Sequence, residues 1–320
     1  MTGEGAWTPG EGVDDRRSEF AAYFCRALRA HAPPADVAIG ADWLLLPGAP
    51  TQPPDVPAQP AAPRTILMLP GMFGECVAPW TTPFGDAQAL LRAQGHRIHV
   101  LDLAGRSSSG RNGRAIHAWM GAHAAALDDA VVIAYSKGAT DFMHAAVLDA
   151  DGAWLPRLGA LVTIAGVIDG TPLASDWAER LETLLSGIDV PNCGAGDGGA
   201  VDSQTYEEAG AAREAYLALP RRPSAHAVVA ITDEGSVNPA LSLFHRHLSE
   251  RDPCNDGQML AVDAVLPGSQ LLAVAHADHW SIALPFETSA MPARLLGRNN
   301  HFPRVALLSA ILDYLGSPAA

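Results

Sequence analysis

Three stretches of the chain carry residue types that together perform nucleophilic acyl transfer: "AYSKG" (134–138), "LMLPGMFGE" (67–75) and "AHADHWSIALP" (275–285). Ser136 follows an apolar run, Val131 to Ala134, and precedes helix-type residues. A nucleophilic serine on a sharp strand-to-helix elbow needs small side chains two places before and after it, because strand and helix approach closely there. Ala134 and Gly138 meet that need. The Lys137 backbone N–H, at the start of the following helix, is placed to face developing negative charge. Acyl transfer also needs a second backbone donor from the turn after an earlier strand. Gly71 and Gly74 let such a turn approach, and Met72 would supply the N–H. A general base belongs shortly after the last strand, which selects His279; His276 lies nearer the strand and reads as packed or solvent-facing. Two places offer an acid to orient the imidazole. Asp233 and Glu234 directly follow "HAVVAIT" (226–232), and Asp256 lies in "CNDGQML" (254–260). Each element alone also fits a structural role, as a turn serine, a glycine turn or a packed histidine.

Such residues need a scaffold that brings distant loops to one edge. The apolar runs "TILMLP" (65–70), "RIHVLDL" (97–103), "VVIAY" (131–135), "LGALVTIAG" (158–166), "HAVVAIT" and "SQLLAVAH" (269–276) read as strands. Helical stretches separate them, at about 84–94, 117–126 and 140–148, and a Ser/Gly-rich loop spans 104–113. A last helix is expected in "FPRVALLSAILDYL", where Val305, Leu308, Leu312 and Leu315 share a face. Continuous apolar strands alternating with helices predict an α/β fold, a mostly parallel central sheet with helices on both faces.

Before this alternation, Phe20, Tyr23, Phe24, Ala27 and Leu28 mark one helix face, and a short strand is expected around Trp43 to Leu46. Residues 1–14 are Gly-rich and acidic and are expected to be disordered. The proline-rich stretch 47–63 reads as an extended surface connector, so residues 15–320 are expected to form a single domain. Residues 168–224 exceed any simple crossover and read as an inserted cap. Within it Leu173, Trp177, Leu181, Leu184 and Leu185 suggest one amphipathic helix, 192–203 a flexible loop, and about 204–219 a second helix.

Taken together, AYSKG, PGMFG, NDG and DHW resemble the α/β-hydrolase superfamily in its bacterial lipase and esterase branch. The chain order Ser, acid, His is the order of that fold. In that branch an NDG acid precedes a DH pair whose His is the base. The resemblance therefore implies a triad of Ser136, Asp256 and His279, with oxyanion donors Met72 and Lys137. It implies a serine hydrolase acting on carboxylic esters through an acyl-enzyme. An acyltransferase or thioesterase on the same residues is the alternative, and a non-catalytic binding protein on a hydrolase scaffold a further one. Two departures stand out. Ala134 replaces a glycine, adding one methyl, and Pro70 replaces a histidine that supports the oxyanion loop. Asp278 precedes His279 where some of these lipases place a calcium-binding aspartate after it, so no metal and no cofactor are implied.

Composition narrows the partners. A net charge of −14 with no basic stripe excludes nucleic acid. The stretch "GAGDGG" lacks the preceding strand that a dinucleotide loop requires, and no H-E-x-x-H or phosphate-loop motif occurs. The four cysteines contain no CxxC pair and read as isolated buried thiols, with a single disulfide as the alternative. No apolar run reaches the roughly 18 residues of a membrane-crossing helix. The N-terminus shows no basic region followed by an apolar one, so a cytoplasmic location is expected. The partner implied is a small or lipid-like ester.

Overall fold

The apolar runs become strands because β-branched residues pack well on a pleated surface covered on both faces. The computed structural model describes residues 7–47, 62–179, 193–194 and 196–317. Among these, seven strands form one sheet: β1 (Asp14–Asp15), β2 (Thr65–Leu69), β3 (Arg97–Val100), β4 (Ala130–Tyr135), β5 (Leu158–Ile164), β6 (Ser224–Ile231) and β7 (Gln270–His276). Their order is β1-β7-β6-β5-β4-β2-β3, and every pairing is parallel. This is the α/β architecture that the sequence predicts.

The helices are α1 (Arg17–His31), α2 (Pro34–Ile39), α3 (Gly74–Val77), α4 (Gly85–Ala93), α5 (Ser109–His123), α6 (Gly138–Leu148), α7 (Pro172–Asp176), α8 (Tyr206–Leu217), α9 (Ser242–Ser249) and α10 (Arg304–Leu315). Strand β4 is buried along its whole length. Its side chains alternate between two cores, as the two-residue period requires. Val131, Ile133 and Tyr135 pack with α1, α4 and α10 through Phe20, Phe24, Leu91 and Ile311. Val132 and Ala134 pack with α5, α6 and α8 through Ile116, Phe142 and Tyr216. Fully burying each such Val, Ile or Leu side chain contributes about 1.5–3 kcal/mol. This two-sided burial fixes the strand whose C-terminal end carries Ser136.

Several elements differ from the sequence expectation. Residues 1–6 lie outside the described residues, but from Trp7 onward the predicted disorder does not hold. The Trp7 carbonyl accepts from Arg17 Nη1 at 3.2 Å, and Asp14 and Asp15 pair with Gln270 and Leu271. The strand expected at Trp43–Leu46 is a 3-10 turn, Gly40–Trp43, followed by a single antiparallel bridge from Leu44 to Ala275. Helix α5 begins inside the predicted loop 104–113, because Ser108 caps it by accepting from the Arg111 N–H at 3.3 Å. Gly113 serves close packing there, since a Cβ on it would come 2.6 Å from His144 Cβ on α6. The connector 47–63 falls largely outside the described residues.

Between β5 and β6, α7 ends at Asp176, and Leu181, Leu184 and Leu185 lie outside the described residues. Helix α8 packs on α6, with the Phe142 and Tyr216 rings 6.1 Å apart. Among the described residues no helix is long and apolar enough to cross a membrane.

Candidate active site

Ser136 stands at the end of β4 with φ +55°, in the left-handed region that non-glycine residues rarely adopt. Such a conformation costs on the order of 1–3 kcal/mol and persists only where the surroundings enforce it. Three backbone bonds do so. Ser136 N–H donates to Ile164 O (3.2 Å), and Ser136 O accepts from Ala139 N–H (3.1 Å) and Val167 N–H (3.0 Å). Ala134 lies in register between Leu69 and Thr163. A Cβ at Gly138 would meet Leu69 O at 2.6 Å, which explains the requirement for glycine.

His279 follows β7, and its Nε2 lies 2.9 Å from Ser136 Oγ. Its Nδ1 lies 2.7 Å from Asp256 Oδ2. A carboxylate only accepts, so the ring proton sits on Nδ1 and Nε2 accepts from the serine hydroxyl. Asp256 is held in turn. Its Oδ1 accepts from Gln258 N–H (2.8 Å) and Met259 N–H (2.7 Å), and its carbonyl accepts from His279 N–H (2.9 Å). Gly257, at φ +89°, allows that turn. All three side chains are buried.

Asp233, the other candidate acid, is engaged elsewhere. Its carboxylate accepts from Gly235 N–H and Ser236 N–H and lies 3.3 Å from His276 Nε2. Burial alone would raise its carboxyl, but the Ser236 and His276 donors bring it below the usual range. Glu234 is exposed.

Met72 lines a cavity of about 460 Å³ together with Ser136 and His279. A Cβ at Gly71 would lie 2.8 Å from Ser136 Cβ, so the turn reaches the serine only because this residue is glycine. Among the described residues, neither the Met72 nor the Lys137 backbone N–H donates to another protein group. The cavity wall is apolar, with Phe73, Trp80, Leu173, Val201, Phe244 and Trp280, and its described lining contains no Asp, Glu, Lys or Arg. A second cleft, about 650 Å³, lies at the opposite end of the strands and touches none of these residues.

Several supports escape sequence reasoning. The buried Lys137 Nζ donates to Asp141 Oδ1 (2.6 Å), and Asn112 Nδ2 donates to Asp141 Oδ2 (2.8 Å), tying the elbow to α5. The i,i+4 spacing of Lys137 and Asp141 was the available signal. Tyr135 donates its hydroxyl to His279 O at 2.7 Å. Burial, aided by the Asp256 and Asp278 carboxylates, pushes this phenol well above its usual range and keeps it a donor. Burial also raises the Asp278 carboxyl, against donors from Ser281, Asn238 and Trp280. The cysteines correct an expectation: Cys76 and Cys193 form a disulfide, leaving Cys25 and Cys254 free. Glu75, Cys76 and Cys193 are the one metal-type cluster among the described residues, and with both sulfurs bonded to each other only a carboxylate remains.

No family model and no curated protein sequence matches the chain. Solved structures do. The metagenomic carboxyl esterase MGS0156 is 30% identical over 98% of this chain and 96% of its own, with a TM-score of 0.82. The mature lipase BlEst2 of Bacillus licheniformis is 22% identical over 72% of this chain and 89% of its own, with a TM-score of 0.54. Lipase 1 of Pelosinus fermentans is 12% identical over 79% of this chain and 98% of its own, with a TM-score of 0.55. The last two are alike in fold alone.

Proposed function

The chain belongs to the α/β-hydrolase superfamily, among its bacterial esterase- and lipase-like proteins, and from that membership we propose that it is a serine hydrolase of carboxylic esters. The observation that carries the reading is the hydrogen-bonded series Ser136, His279, Asp256 at the wall of an apolar cavity, beside two backbone N–H groups that have no partner among the described residues. Ser136 Oγ attacks the ester carbonyl while His279 Nε2 takes its proton. Asp256 holds the Nδ1–H tautomer and stabilises the imidazolium. The tetrahedral oxygen accepts from Met72 and Lys137 N–H, each donor contributing roughly 3–4 kcal/mol at the transition state. Collapse expels the alcohol, protonated by His279, and leaves an acyl-Ser136. Water, deprotonated by His279, then repeats the sequence and releases the acid.

The purified protein should hydrolyse p-nitrophenyl butyrate with a burst of one phenolate per active site, followed by slower steady-state release of butyrate. A folded protein that never exceeds the spontaneous rate on acetate, butyrate and octanoate esters would overturn the reading. The cavity wall adds a selectivity. A charge buried there would find no ionic partner in the described lining, which is costly. The p-nitrophenyl hemisuccinate should therefore show kcat/KM at least about tenfold below the butyrate; equal values would contradict this.

Gly71→Ala is a sharper test of the oxyanion turn. The new methyl would come 2.8 Å from Ser136 Cβ, so the turn must retreat and carry Met72 N–H with it. Steady-state kinetics should show kcat lower by about 10²–10³ with KM little changed. Unaltered kcat in the folded variant would remove Met72 from the mechanism.

We read residues 15–320 as one α/β-hydrolase domain with 168–224 as a cap; Thr171, Leu173, Ala174, Val201 and Gln204 from that segment line the cavity, which supports it. The Cys76–Cys193 disulfide weighs against the cytoplasmic location expected from the sequence and favours an oxidising compartment.

A further inference from the structure

The turn that carries Met72 contains two glycines required for close approach, Gly71 against Ser136 and Gly74 against Pro70, so it has few side chains with which to pin itself. It is braced from outside. Gly105 N–H donates to Glu75 Oε2 at 2.8 Å, and a Cβ on Gly105 would fall 2.3 Å from the Phe73 nitrogen. The Arg106 guanidinium lies 5.5 Å from the centre of the Phe73 ring. This loop is itself gripped by the chain beyond Cys193. The Asp197 carboxylate accepts from Ser108 N–H and Ser108 Oγ, both at 2.7 Å, and Ser203 Oγ accepts from Ser109 N–H at 2.8 Å. Gly196, at φ +65°, lies so close that a Cβ would come 2.6 Å from the Arg106 carbonyl carbon. The disulfide then joins Cys193 directly to Cys76 in α3, just past the turn.

We propose that Cys193 and residues 196–204 form a positioning strap for the oxyanion turn, with the Cys76–Cys193 disulfide as its covalent anchor. A donor aimed at a developing oxyanion is effective only when preorganised, and a displacement of about 1 Å can cost as much as 10²-fold. The strap fixes Met72 N–H from two sides, through the disulfide and through the loop at 105–109. Val201 and Gln204 of the same strap line the cavity, so one segment shapes the acyl site and holds the donor. The inference rests on the hydrolase reading above.

The test reduces the folded enzyme with dithiothreitol, which converts the disulfide to two thiols and itself becomes a cyclic disulfide. Titration of all four cysteines verifies reduction, and circular dichroism verifies the fold. The measured quantities are kcat per burst-titrated active site, KM, and inhibition by an aryl trifluoromethyl ketone, which adds Ser136 Oγ to form a tetrahedral oxyanion. The strap predicts that kcat falls about tenfold and ketone affinity falls in parallel, with KM within about twofold. The double variant Cys76→Ser/Cys193→Ser should behave alike, Asp197→Asn should move the same quantities less, and reoxidation should restore the reduced enzyme. Unchanged kcat per site and ketone affinity after full reduction, with loss only of titratable sites or of melting temperature, would make the disulfide a plain staple and overturn the proposal. Ser136→Ala, run beside these, separates the two claims. Turnover in that variant defeats the hydrolase reading, whereas an inactive Ser136→Ala with a fully active reduced enzyme defeats the strap alone.

Discussion

Ser136→Ala is expected to lower kcat on p-nitrophenyl butyrate by about six orders of magnitude, the cost of removing a triad serine in a serine protease. Without Oγ no acyl-enzyme can form, and His279 has no hydroxyl to deprotonate. The oxyanion donors and the cavity would remain, so a weak acceleration of attack by water is all that should persist. The variant should fold. Alanine occupies the same left-handed backbone conformation at similar cost, and the bonds that hold this conformation run through the backbone of residue 136. Near wild-type turnover in a protein of unchanged melting temperature would assign the nucleophile elsewhere.

Asp256→Asn should cost about 10⁴ in kcat, and Asp233→Asn no more than a few-fold. The asymmetry follows from what each carboxylate touches. Asp256 accepts from His279 Nδ1 at 2.7 Å, and an amide there can present its NH₂ to that nitrogen. The ring would then carry its proton on Nε2, the atom that must accept from Ser136. Asp233 accepts instead from its own turn and meets His276, the last residue of β7, rather than His279. Two equally folded variants compared on one ester decide it, and a severely impaired Asp233→Asn beside an active Asp256→Asn would reverse the assignment.

The inner strands β2, β4, β5, β6 and β7 were legible because each carries an apolar run of the kind that two-sided burial explains, whereas the edge strands β1 and β3 are polar or alternating. The elbow was legible as a turn for a related reason: an apolar run that stops at a serine between the small residues Ala134 and Gly138 marks a close strand-to-helix turn. Only the surrounding α/β alternation and the other motifs point that serine toward catalysis. For the acid, strand reading pointed to Asp233, and only the NDG resemblance pointed to Asp256. The missing information is the fold of the 254–260 turn, where Gly257 brings Oδ2 to the imidazole from a loop that no periodicity marks.

What stayed hidden is chiefly long-range loop packing. Cys76 and Cys193 are 117 residues apart, and pairing of cysteines cannot be read from their spacing. The contacts of Gly196 and Asp197 with 106–108 are between two irregular segments, whose Gly and Ser content says loop and nothing of where the loop docks. The two-residue strand β1 is too short to show alternation. Helix α5 starts earlier than the sequence suggests because its first turn is Ser- and Gly-rich, while the cap that starts it is a single hydroxyl on Ser108.

The central claim is that Ser136 is an activated nucleophile, and covalent labelling tests it most directly. The folded protein should react with a fluorophosphonate probe to one equivalent, with the phosphonate found by peptide mass spectrometry on Ser136, and the His279→Ala variant should label far more slowly. A folded protein that takes up no probe, or carries it on a different residue, would contradict the account.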